Sequence, residues 1–139
     1  MQLSRESKIV SGVFLLLIPT IMYGGVTLLG ILTEGMAGIG GRELDEMQWS
    51  LWRAGHAHAA VLVVLSLILQ PLVDDTTLSN FSKWAARLGA PVSSILIPAG
   101  FFGLAFISSF KWLMYLGIIF LSVSVILTGI GLLKSSVQK

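Results

Sequence analysis

At 139 residues, with 55% hydrophobic and 12% charged side chains, the chain is too apolar for a water-soluble domain of its size, where about 25% charged residues is usual. The net charge of +2 comes from a few basic residues set beside apolar runs, so it reads as membrane anchoring and not as nucleic-acid binding. The absence of cysteine excludes disulfides, thiolate metal sites, iron–sulfur clusters and c-type haem attachment.

In chain order, the mildly basic segment 1–8 leads into an uncharged apolar run over 9–32. This run is longer than the hydrophobic region of a signal peptide and lacks a small-residue cleavage site, so it predicts a retained first span. Pro19 and the pair Gly24 and Gly25 predict a kink in it. Residues 33–50 form a glycine-rich, then acidic loop carrying Glu34, Glu43, Asp45 and Glu46. Within it, the stretch ELDEMQW predicts a short surface helix, and the rest reads as a solvated loop. A second span is predicted over 51–73, with Gln70 and Pro71 at its far end and Asp74 and Asp75 as a solvated helix cap. A third span is predicted over 88–108 and a fourth over 112–133. The link 109–111 is so short that the last two helices must be antiparallel neighbours.

The fold class expected is therefore all-α, a single membrane domain over 1–139 built as a four-helix transmembrane bundle. Arg5, Lys8, Lys83, Arg87, Lys134 and Lys139 fall on one side of the bilayer, and Arg42, Arg53 and Lys111 on the other. The richer side should be cytoplasmic, which puts both termini inside and the acidic loop outside. The expectation is a multi-pass protein of a bacterial-type inner membrane. Trp49, Trp52, Trp84 and Trp112 fall at predicted span ends, as an interfacial aromatic belt requires. Gly55-x-x-x-Ala59 and Ala99-x-x-x-Gly103 fit the small-residue pattern of helix contacts in lipid.

The chemistry-bearing stretch is Trp52-Arg-Ala-Gly-His-Ala-His-Ala-Ala-Val-Leu, which holds both histidines of the chain. His56 and His58 lie roughly 6–12 Å below the outer boundary at 1.5 Å per residue. An ionisable group at such depth is a functional candidate, because its desolvation must be compensated. Two residues apart on a helix is about 200° of rotation, so the two imidazoles leave opposite faces. They cannot share one metal ion, which needs an i, i+4 pair, and each should meet a different partner. Neutral imidazole is a good axial ligand for haem iron, and the small residues Ala54, Gly55, Ala57, Ala59 and Ala60 would let a flat macrocycle approach the backbone. Arg53, three residues before His56 and nearer the interface, suits a haem propionate. Met22, Met36, Met47 and Met114 are alternative axial ligands, and Tyr23 and Thr27 are candidate hydrogen-bond partners for a cofactor or a histidine ring. Each of these is also an ordinary packing residue of an apolar helix.

The segment Gly55-His-Ala-His-Ala-Ala-Val-Leu resembles a helix of the catalytic subunit of haem–copper oxidases and nitric oxide reductases. In that family a His-x-His pair near the outer end of the helix serves two haems on opposite sides. The family's helix also runs from outside to inside, as the second span should here. Its catalytic subunit is similar to three arcs of four helices, with the His-x-His helix second in its arc, and this chain looks like one arc standing alone. The resemblance implies haem b held by His56 and His58, with Arg53 on a propionate. It also implies a homo-oligomer in the lipid bilayer, a trimer if the ring is rebuilt, with a haem shared by His56 of one copy and His58 of the next. Electron transfer or redox chemistry of a small gas would follow. The family's further histidines are missing, so no three-histidine copper site can form within one chain. Two other classes stay open: a cofactor-free accessory or interaction protein, and a small metal-handling transporter.

Overall fold

A computed structural model describes residues 3–34 and 44–137. Four long helices make up nearly all of them: α1 (Arg5–Glu34), α2 (Glu46–Asp74), α3 (Asn80–Leu104) and α4 (Lys111–Val137), with a 3₁₀ turn at Ser108–Phe110 before α4. All four are long and apolar enough to cross a bilayer, so the described residues form the all-helical framework of a multi-pass membrane protein.

The helices pack in chain order. α1 lies on α2, α2 on α3 and α3 on α4, with a lighter contact between α2 and α4. The result is an open row whose flanks, α1 and α4, turn large apolar side chains outward; Leu16 is 78% and Leu133 71% exposed. In lipid this exposure costs little, because acyl chains are as apolar as leucine. Ser4 reaches Asp74, and Thr76 meets Gly131, so the start of α1, the turn between α2 and α3 and the last turns of α4 share one end of the row.

All four helices are longer than their apolar runs, and α2 and α3 depart furthest from them at their starts. α2 begins at Glu46 and not at residue 51, because Asp45 and Gln48 form a capping box: Gln48 N–H donates to Asp45 Oδ1 (2.8 Å) and Asp45 N–H to Gln48 Oε1 (3.0 Å). Of the stretch expected as a short surface helix, residues 46–49 are instead the first turn of α2, with Asp45 as its cap. The same Gln48 donates from Nε2 to the carbonyl of Ala105 (2.8 Å), fastening α2 to the end of α3. Its counterpart α3 begins at Asn80 behind a Ser79 cap and ends at Leu104, against the expected 88–108. Lys83, Trp84 and Arg87 are therefore helical, and the connection shrinks to residues 75–79. Met36, Arg42 and Glu43 lie outside the described residues.

Glycines set the α3–α4 contact. Gly89 faces the Phe120 carbonyl and Ser124, Gly100 faces Met114, Gly103 faces the Phe110 ring, and Gly117 faces Ile97. Of the two small-residue patterns, Gly103 of α3 and Gly55 of α2 are contact points, the latter under Phe101 and Phe102. Ser124 Oγ adds a hydrogen bond to the Ala86 carbonyl across the same interface.

Proline shapes α3 in a second way. Pro91 has no N–H to give to the carbonyl of Arg87, four residues back. Gln70, fully buried on α2, supplies the missing donor from Nε2 at 3.1 Å, and also donates to the Ser66 carbonyl at 3.2 Å. Gln70 is thus an interhelical brace and not a marker of the helix end. Gln70→Leu should lower stability by about 1–3 kcal/mol, the cost of leaving a buried carbonyl unpaired, read as a lowered unfolding midpoint in detergent; an unchanged midpoint would refute the brace.

Candidate functional site

The histidine-bearing turns of α2 are held by an aromatic cluster. Trp52 meets Trp49, Phe102 and Phe106 edge-on at centroid distances of 6.4, 5.7 and 6.1 Å. Trp52 is only 9% exposed, which corrects its place in the aromatic belt: it is the centre of the α2–α3 contact. Trp112 is 65% exposed and packs edge-on with Tyr115, while Trp84 lies 5.4 Å under the guanidinium of Arg87.

The two imidazoles leave α2 on different flanks. His56 is half-buried and turns toward α1, where its ring rests on Gly24 and Gly25. A Cβ at Gly25 would lie 2.8 Å from Nε2, so only glycine lets α1 come this close. His58 turns toward α3 and stacks on Phe101, with centroids 4.7 Å apart and planes at 33°. Its Nδ1 lies 2.7 Å from the Ala54 carbonyl. A carbonyl oxygen only accepts, so Nδ1 is the donor here, and in the tautomer protonated at Nδ1 the lone pair lies on Nε2. His58 is exposed, and that lone pair is available from outside the chain. Neither histidine shares a hydrogen bond with the other, and among the described residues no group of three or more ligating side chains gathers.

Arg53 is exposed and makes one hydrogen bond among the described residues, to Ser50 Oγ at 3.5 Å. The rest of its guanidinium is unpaired among the described residues. Of the described methionines considered as axial ligands, Met22 and Met47 face outward and Met114 is wedged against Gly100. Thr27 spends its hydroxyl on the Tyr23 carbonyl at 3.0 Å. Tyr23 and Thr27 nonetheless line, with Thr20, Gly24, Leu28, Ile31, Trp52, Phe102 and His56, a cleft of about 260 Å³ between α1 and the α2–α3 pair.

A second polar assembly sits at the opposite end of α2. Arg87 Nη2 pairs with Asp74 Oδ1 at 2.6 Å, and both side chains are largely buried. Ser4 N–H donates to Asp74 Oδ2 (2.8 Å), Arg87 Nε to Ser7 Oγ (3.2 Å) and Ser7 Oγ to the Gln70 carbonyl (3.3 Å). Asp74 is therefore no solvated cap, and Arg87 is no loop cation: together they clamp α1, α2 and α3. A polar pocket of about 550 Å³ beside them is lined by Glu6, Asn80, Lys83 and Trp84 as well. Hydropathy reading missed this pair because two opposite charges at the ends of consecutive spans look the same whether they face water or each other.

No protein-family model, no curated protein and no solved structure matches the chain.

Proposed function

We propose that the protein is a b-type haem-binding membrane protein for electron transfer or small-gas chemistry, with His58 as axial ligand. The observation that carries this reading is the hydrogen bond from His58 Nδ1 to the Ala54 carbonyl, which in the neutral ring leaves Nε2 free. At metal centres a ligating imidazole commonly donates its other N–H to a backbone carbonyl, which fixes the orientation of the ring. An exposed Nε2 inside a lipid-facing helix is also costly without a partner. The small residues around it and the free guanidinium of Arg53 on the same helix favour a flat group with carboxylates at its edge. His56 is the less accessible ligand, since Gly25 of α1 closes on its Nε2. When bound, haem supplies a one-electron couple or a site for a diatomic gas. One available imidazole per chain fits a homo-oligomer in which a neighbouring copy fills the second axial position, with both termini of each copy on the cytoplasmic side of a bacterial-type inner membrane.

The test is optical. Protein purified from haem-replete cells should show a Soret band and a pyridine haemochrome of b type. His58→Ala should abolish both, and His56→Ala should retain them. A low-spin spectrum would identify a second protein ligand, and a high-spin spectrum an open position for gas. A colourless, folded preparation would end the haem reading.

A further inference from the structure

The cleft between α1 and the α2–α3 pair is a site apart from the exposed flank of His58, and its reading does not depend on haem. Its walls are aliphatic and aromatic: Leu28 and Ile31 on one side, Trp52 and Phe102 on the other. Gly24 leaves it open at the base, and a Cβ there would stay 3.9 Å from His56 Nδ1. The threonine hydroxyls that border it are already spent on α1 carbonyls, Thr20 on Leu17 and Thr27 on Tyr23. Of the other polar side chains that line it, the His56 imidazole and the Tyr23 hydroxyl have no hydrogen-bond partner among the described residues, and the half-buried His56 is the one that faces α1 across the cleft.

Position and size narrow the occupant. His56 lies ten residues into α2, about 15 Å along the axis from Glu46. No Lys, Arg, Asp or Glu lines the cleft, so a charged lipid headgroup drawn into it would lose its hydration with no opposite charge against it. A cavity of about 260 Å³ is at the small end of ligand sites, suited to one or two fused rings and too small for a macrocycle. The flat faces of Trp52 and Phe102 favour an aromatic or conjugated ring.

We infer that this cleft binds a neutral, membrane-soluble ring compound bearing a carbonyl, of the quinone class, with His56 as the hydrogen-bonding residue. The ligand enters sideways from the bilayer past α1, whose outer surface is lipid-facing along Met22, Tyr23 and Val26.

The experiment uses the full chain in zwitterionic phospholipid nanodiscs, titrated with 2-methyl-1,4-naphthoquinone against empty nanodiscs, with 2-methylnaphthalene as the carbonyl-free control. About one dione per chain should be retained above the empty-disc level, and the hydrocarbon should show no such excess. His56→Ala should weaken binding about tenfold, the equivalent of one hydrogen bond, and His56→Gln, which keeps a donor, should recover part of it. Thr27→Trp, a change at an exposed position that leaves the helix contacts intact, should fill the cleft and remove the excess binding. His58→Ala should bind as the parent does, which separates this site from the haem flank. Equal retention of hydrocarbon and dione, undiminished binding in Thr27→Trp, or equal losses in His56→Ala and His58→Ala would each overturn the inference.

Discussion

Arg87→Ala is expected to destabilise the folded protein by about 3–5 kcal/mol, because it strands a buried carboxylate. Asp74 has 10% of its side chain exposed and Arg87 5%, so removing either partner leaves the other charge largely shielded from water. Without the guanidinium, Asp74 keeps only neutral donors, the Ser4 N–H and the Ser4 and Ser7 side chains, and Ser7 loses the donor that links it to α3. The loss should fall on α1 first, since the hydrogen bonds at Ser4 and Ser7 are its polar tie to the rest of the row. The double replacement Arg87→Met with Asp74→Leu should cost less than either single change, since a buried ion pair is often replaceable by apolar side chains. Unfolding midpoints in detergent, read by helix content, check both statements. Independent, additive effects of the two replacements would show that the ion pair is not the unit holding this end together.

The second large effect is at Gly89. A Cβ there would collide with the carbonyl oxygen of Phe120 and lie 2.7 Å from Ser124 Cβ, and the carbonyl cannot rotate away as a side chain can. Gly89→Ala should therefore push α3 from α4 and cost about 1–3 kcal/mol, the range for overpacking. It should also break the hydrogen bond from Ser124 to Ala86, which depends on the same approach. Gly129 on α4 is the control, since nothing lies within 4 Å of a Cβ there. Gly129→Ala should be neutral or slightly stabilising, through helix propensity alone. A Gly89→Ala protein as stable as Gly129→Ala would mean that α3 and α4 do not meet as closely as described.

The site was partly legible before the fold was known. A spacing of two on a helix is enough to predict that His56 and His58 part company, and they do: one ring rests on Gly24 and Gly25, the other on Phe101. The capping box at Asp45 and Gln48 was also written in the chain, as an acidic cap followed three residues later by glutamine, but it was hidden by reading the acidic stretch as loop. The hydrogen bond that orients His58 was beyond reach, because any of several rotamers could have met a backbone carbonyl. So was the cleft, which exists only because α1 and α3 approach α2 from different sides.

Apolar run length and the scarcity of charge fixed the membrane class and the number of spans, because a helix is the one open-chain structure that satisfies its own backbone within lipid. What each polar residue does was decided only by packing. Trp52, Gln70, Asp74 and Arg87 read alike as boundary markers, since position along a span does not reveal which face turns inward. Their neighbours made Trp52 an aromatic centre, Gln70 the donor that Pro91 lacks and the two charges a clamp, because in a low-dielectric interior a polar group must find its partner on whichever helix stands opposite.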